Sequence, residues 1–257
     1  MKAVLLAGGL GTRMREETEF RPKPMVEVGG KPVLWHIMKI LGSQGIKEFV
    51  ICTGYKGEQI KNYFYNYRLE NMDFTVDLGG RASIEFHGSH SESDWKVTVV
   101  DTGPKTNTGG RLFAVQNFLD EEPFLVTYGD GIADVNLAEL ISLHKSQKTI
   151  ATMTTAKPSS RFGVVETSTN SRVTKFREKP ILEDWVNIGY FVFEKEIFDY
   201  LDSSSVLEEG PLMALSESAN LSAYKHNGFW QPMDTYREAV ALNEMWSSGR
   251  APWKIWH

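Results

Sequence analysis

A short apolar run, Ala3-Val4-Leu5-Leu6, feeds directly into Ala7-Gly8-Gly9-Leu10-Gly11-Thr12-Arg13. No other segment constrains the fold as much. An apolar strand that ends in glycines presents bare backbone at its carboxyl end. Glycine lets that backbone take φ > 0 and come close to a ligand. Successive free N–H groups there form a cradle for an anion, and Arg13 adds a planar fork for phosphate oxygens. Two well-known phosphate loops fail on the residues. A P-loop needs Gly-Lys followed by Ser or Thr, which is missing. A dinucleotide fingerprint needs a third glycine, and Met14 stands there. On these residues alone a glycine-rich turn without a ligand stays open.

The following segments alternate strand and helix signals. Ala3–Leu6, Phe49–Cys52, Ser83–Phe86, Val97–Val100 and Phe124–Val126 are apolar runs of strand length. Pro32 to Leu41, Gln59 to Tyr65 and Leu112 to Leu119 carry helical spacing. Such alternation points to βαβ units and a parallel sheet, which binds ligands beyond the carboxyl ends of its strands. After Thr149 the texture becomes β-rich: Ile150–Thr155, Val186–Phe193, and a hairpin from Gly163–Glu166 and Arg172–Phe176. Helices are expected near Glu196–Leu201, Leu212–Ser218 and Tyr236–Met245. The expected fold is α/β: a Rossmann-like, mixed but mostly parallel sheet flanked by helices, with a smaller C-terminal β-rich and helical subregion. No linker or repeat interrupts it, so residues 1–257 read as one domain. Trp246, Trp253 and Trp256 near the C-terminus favour a contact between subunits over the core.

Composition excludes several classes. The net charge is -5, from 28 basic and 33 acidic residues, which gives no field for nucleic acid. No run reaches the ~20 apolar residues of a membrane helix, and the N-terminal run is too short for a signal peptide. The single cysteine, Cys52, permits no intrachain disulfide and reads as a buried small hydrophobe. A cytoplasmic protein is expected, with neither nucleic acid nor membrane as partner. The six histidines, His36, His87, His90, His144, His226 and His257, show no zinc spacing. Ser89 to Asp94 reads as a solvated loop, over the site or in a subunit contact.

Ten residues beyond the glycine loop, Arg21-Pro22-Lys23-Pro24 holds a lysine between two prolines in an extended backbone. Together with Gly8-Gly9-x-Gly11-Thr12-Arg13 this closely resembles the signature of the sugar-phosphate nucleotidyltransferases. Met25 to Pro32 continues the match. So do Thr108-Gly109-Gly110 before a helix, Tyr128-Gly129-Asp130, Phe162 to Glu166, Phe176-Arg177-Glu178-Lys179-Pro180, Asn187-Ile188-Gly189 and Trp230-x-x-x-Asp234. Trp35 to Lys39, Phe49 to Gly57 and Gly103 to Arg111 look like the branch that joins CTP to glucose 1-phosphate. The resemblance implies CDP-glucose and pyrophosphate as products, the former feeding bacterial dideoxysugar and O-antigen synthesis.

It further implies a site. The nucleotide would meet Leu6, Ala7, Gly8, Gly9, Gly11, Thr12, Arg13, Lys23, Thr108, Gly109, Gly110, Arg111 and Tyr128, with the two glycines letting the backbone approach the base. The sugar phosphate would meet Tyr128, Gly163, Glu178, Lys179 and Asn187. Asp130 and Asp234 would coordinate Mg2+, and Arg13, Lys23, Asp130 and Asp234 would carry catalysis. Residues 1–149 would form the nucleotide-binding half. Residues 150–257 would form the half that binds sugar phosphate and makes the contacts of a homo-oligomer. Other readings are the same chemistry with UTP, dTTP or ATP, or with another sugar 1-phosphate, a silent sugar-nucleotide-binding regulatory subunit, and a nicotinamide oxidoreductase, which the missing third glycine disfavours.

Overall fold

The computed structural model describes residues 1–79, 83–120 and 122–256, with backbone alone at residues 15 and 16. Its centre is a seven-stranded sheet. The strands in chain order are β1 (Ala3–Ala7), β2 (Glu48–Thr53), β3 (Lys96–Asp101), β4 (Phe124–Tyr128), β5 (Ala151–Ala156), β6 (Val186–Phe193) and β7 (Leu221–Lys225). Across the sheet they stand in the order β7-β5-β6-β4-β1-β2-β3. Only β6 runs against its neighbours β4 and β5; the other pairs are parallel.

The expected mostly parallel sheet is therefore present. Alternate residues of β1 serve two cores, Ala3, Leu5 and Ala7 on one face and Val4 and Leu6 on the other. A parallel sheet covered on both faces reads as a continuous apolar run for this reason. Helices α1 (Val33–Ser43), α2 (Gly57–Tyr65), α4 (Leu137–Gln147) and α6 (Tyr236–Ser247) cover the first face, through residues such as Ile37, Ile60, Leu140 and Leu242. Helices α3 (Thr108–Ala114) and α5 (Pro211–Glu217) cover the second, through Leu112 and Leu215. Cys52 is fully buried in that second core, where burial pushes its thiol up to about 12.

Several expectations change. Ser83–His87 is a strand, but among the described residues it pairs only with Asp73–Asp77, as a separate ribbon. Helix α3 begins at Thr108, ahead of Leu112, although glycine is a poor helix former. A Cβ on Gly110 would lie 2.4 Å from the Ser203 carbonyl oxygen, so packing against the 203–205 loop demands glycine there. The hairpin is present as Val164–Thr167 with Val173–Arg177. In the run Ser89 to Asp94, Glu92 is buried and pairs with Lys39 of α1 at 2.5 Å, so that loop is anchored to the core rather than simply solvated. His257 lies outside the described residues.

The tryptophans near the C-terminus join the core: Trp253 is fully buried, and Trp246 and Trp256 are partly buried against it. They close around His36 of α1, whose ring lies 4.8 Å from that of Trp246. The Trp253 indole N–H points at His36 Nδ1 (3.4 Å), and His36 Nε2 meets the Val28 carbonyl at 2.7 Å. The cluster thus holds a neutral imidazole with Nε2 as the donor. Burial pulls its pKa from 6.5 to about 4, against the opposing pull of the Val28 bond.

That depression has a sign. Between those two values the unfolded chain binds a proton that the folded chain refuses, so stability falls as pH drops from 6.5 to about 4. The loss should approach ~3 kcal/mol. Urea melts of wild type and His36→Gln at pH 7 and 4.5 check this: the wild type should lose more on acidification. Equal losses would contradict it.

Candidate active site

Because the parallel strands share one direction, their carboxyl ends meet along one edge. β1 ends in the glycine loop, and β4 ends at Tyr128 before Gly129-Asp130. β5 delivers the segment with Arg161, and β7 leads to Asp234. The reversed strand β6 brings its first residues, Val186 and Asn187, to the same edge. A cleft of about 540 Å³ lies there. Leu6, Ala7, Gly8, Gly9, Gly11, Thr12, Arg13, Lys23, Thr108, Arg111, Tyr128, Asp130, Asn187 and Asp234 all line it.

A small antiparallel ribbon sets the two aspartates side by side. Gly131–Ala133 pairs with Trp230–Pro232, and the Met233 N–H donates to the Asp130 carbonyl at 2.9 Å. Helix α6 fixes the Asp234 backbone through a capping box. Glu238 accepts from the N–H groups of Asp234 (2.7 Å) and Thr235 (2.8 Å), and Thr235 caps Glu238. Lys23 departs from the extended form expected of its proline frame: Pro22 is extended, but Lys23–Met25 is a tight 3-10 turn that buries the lysine. Gly11 takes φ +61, open to glycine at little cost. Its carbonyl accepts from Met14 N–H and the Thr18 hydroxyl, both at 3.0 Å, which turns the loop back.

Charge converges on the aspartates. The Lys23 ammonium lies 2.6 Å from Asp130 Oδ2 and 2.7 Å from Asp234 Oδ1, on a side chain only 10% exposed. Arg13 reaches Asp234 Oδ2 at 2.8 Å, and Arg161 stands 3.7 Å from the same oxygen and 3.4 Å from Glu238. Burial works against the Asp234 charge, but the Lys23 hydrogen bond and the positive charges of Lys23, Arg13 and Arg161 overcome it and hold the carboxyl below its ordinary range.

The other end of the cleft holds a residue that sequence reasoning missed. The Glu208 carboxylate accepts from the Tyr128 hydroxyl and, at 2.7 Å, from the Thr108 hydroxyl. Burial first, then the Glu208 charge, pushes the Tyr128 phenol well above its usual pKa. Arg161 was missed as well. Nothing local marks either: Glu208 sits in an acidic turn, and Arg161 in a polar loop.

Arg111 lines the cleft, yet its guanidinium is turned to the protein. It donates to the backbone carbonyls of Thr53 (2.9 Å), Gly103 (2.9 Å) and Gly8 (3.0 Å), and to the Thr102 hydroxyl (2.7 Å). It ties together the loops after β1, β2 and β3. Gly109 and Gly110 are buried and approach the 203–205 loop rather than the cleft. Gly163, Glu178 and Lys179 do not line the cleft either. Gly163 and Glu178 are neighbours on the hairpin, Lys179 has φ +45, and its ammonium lies 3.7 Å from the Glu178 carboxylate. Among the described residues no group of three or more His, Cys, Asp or Glu could hold a metal, and no helix is long and apolar enough to cross a membrane.

The profile of the nucleotidyl transferase family matches residues 2–231. The chain belongs to that family. It is 48% identical over 259 residues to the glucose-1-phosphate cytidylyltransferase of Salmonella typhi, covering 100% of each chain. It is 41% identical over 258 residues to the probable glucose-1-phosphate cytidylyltransferase of Bacillus subtilis (strain 168), again covering 100% of each. Among solved structures, HddC from Yersinia pseudotuberculosis superposes with a TM-score of 0.67, at 20% identity, over 95% of this chain and 99% of that one. At that identity the likeness speaks for the fold.

Arg111 then has a checkable structural role in a nucleotidyl transferase cleft. Arg111→Met strands buried carbonyls of three loops, at about 1–3 kcal/mol for each group left unpaired. It should lower unfolding stability by roughly 3 kcal/mol or more in urea, and weaken nucleotide binding by calorimetry. Unchanged stability with lost nucleotide binding would mean instead that Arg111 acts on the nucleotide itself.

Proposed function

We propose that the protein transfers the cytidylyl group of CTP to glucose 1-phosphate, giving CDP-glucose and pyrophosphate. The observation that carries the reaction type is the meeting of Arg13, Lys23, Asp130 and Asp234 beside a glycine loop in one cleft. The choice of CTP and glucose 1-phosphate within that type rests on the full-length relatives. The product would enter bacterial dideoxysugar and O-antigen synthesis.

The chemistry follows from charge. A sugar phosphate has a second pKa near ~6 and is largely dianionic at neutral pH. One of its oxygens attacks the α-phosphorus, the bond to the bridging oxygen of the β-phosphate breaks, and pyrophosphate leaves. No proton has to be removed from the nucleophile, so no general base is required. The obstacle is repulsion between a dianion and a triphosphate, and catalysis is positioning and shielding. The N–H groups of Gly8 to Arg13 cradle the phosphates, while Arg13 and Lys23 neutralise them. Tyr128 and Asn187 orient the sugar. The hairpin bearing Gly163, Glu178 and Lys179 closes inward, with Lys179 on the sugar phosphate.

Asp130 and Asp234 suit a magnesium ion. Magnesium takes one or two carboxylates and completes its shell with water and phosphate oxygens, and one oxygen of each aspartate already converges on a single cation, the Lys23 ammonium. Bound there, the ion supplies further neutralisation at the phosphates.

The test is product identification from a matrix of CTP, UTP, dTTP and ATP against several sugar 1-phosphates. CDP-glucose should dominate; a UDP- or dTDP-sugar would favour the alternative base, and no product at all would leave a regulatory subunit. In the same assay Lys179→Ala should raise KM for glucose 1-phosphate by roughly ten- to hundredfold. Its CTP affinity should stay unchanged, and impaired CTP binding with normal sugar-phosphate kinetics would remove the hairpin from the sugar site.

A further inference from the structure

Lys23 occupies the position between the aspartates that a cation would take. Its ammonium bonds one oxygen of each carboxylate, at 2.6 and 2.7 Å. The second oxygen of Asp234 is engaged by Arg13 at 2.8 Å and faced by Arg161 at 3.7 Å. A bare ion would have to evict a lysine whose side chain is 10% exposed. The evicted ammonium would lose both of its carboxylate partners with no anion to replace them, which is costly for a buried charge.

The charge balance points the same way. Asp130, Asp234 and Glu238 face Lys23, Arg13 and Arg161, so three negative groups meet three positive ones. A free divalent ion would leave this cluster strongly positive. A triphosphate brings several negative charges to the adjoining glycine loop, and gives Lys23 and Arg13 phosphate oxygens to turn to.

We propose that Lys23 is a place-holder: in the free protein its ammonium closes the aspartate pair against bare divalent ions, and the incoming triphosphate draws it off and opens the pair. The inference rests on the reading of Asp130 and Asp234 as metal ligands given above. It makes cation binding follow or accompany the nucleotide, with Lys23 exchanging one set of anionic partners for another.

Calorimetric titration of the nucleotide-free protein with MnCl2 tests it. The wild type should bind Mn2+ weakly. Lys23→Met should bind it roughly ten- to hundredfold more tightly, the weight of a hydrogen bond to a charged group. The gain should vanish in Lys23→Met/Asp234→Asn. If Lys23→Met fails to fold, Arg13→Gln carries the test, since the Arg13 side chain is 68% exposed, and a smaller gain in the same direction is expected. No gain in whichever of these variants folds, or a gain that survives Asp234→Asn, overturns the place-holder. The underlying metal reading fails separately: it falls if Asp234→Asn leaves the Mn2+ dependence of wild-type turnover unchanged.

Discussion

The carboxylate of Asp234 is held from three sides by Lys23, Arg13 and Arg161, and the cleft is organised around it. These groups come from far apart in the chain. Arg13 belongs to the loop after β1, Lys23 to the turn between two prolines, and Arg161 to the segment after β5. Asp130 follows β4, and Asp234 precedes α6. Parallel strands make the convergence possible, since each delivers its carboxyl end to the same edge. The exposed arms contribute little to stability, as surface ion pairs do. The pairing of Lys23 with two aspartates is different: it is largely buried, and removing one partner would leave an uncompensated charge.

Much of the architecture was legible because local pattern and burial agree. The runs at Ala3 to Leu6 and Phe49 to Cys52 are apolar on both faces, and the finished sheet buries both faces. Val186–Phe193 was readable over its full extent for the same reason. Arg13, Lys23, Asp130 and Asp234 were legible through motifs, and the structure brings all four together. Pattern cannot say where a strand pairs. Ser83–His87 had the right composition but stands in a separate ribbon, and Leu221–Lys225, too polar to announce itself, forms an edge of the main sheet.

What stayed hidden depends on long-range packing. Glu208 owes its place to hydroxyls 80 and 100 residues away. Arg111 looks like a phosphate ligand in sequence, yet its guanidinium spans three backbone loops. Gly109 and Gly110 look like a ligand cradle, yet they admit the chain's own 203–205 loop. The tryptophans near the C-terminus gave no sign in sequence that they gather around His36. For Arg111, Gly109 and Gly110 residue type marked a close approach and left the approaching partner open, whereas Glu208 carried no mark at all.

The central claim is that the cleft works by charge and alignment, with one displacement at phosphorus and no covalent relay. Among the described residues no histidine or cysteine lines the cleft, and the Thr108 hydroxyl is committed to Glu208. The stereochemistry at the transferred phosphorus tests this directly. CTP carrying sulfur on the α-phosphorus in one configuration is converted with glucose 1-phosphate, and the product's configuration is read by phosphorus NMR. A single in-line displacement predicts inversion; retention would require a cytidylylated protein intermediate and would contradict the account.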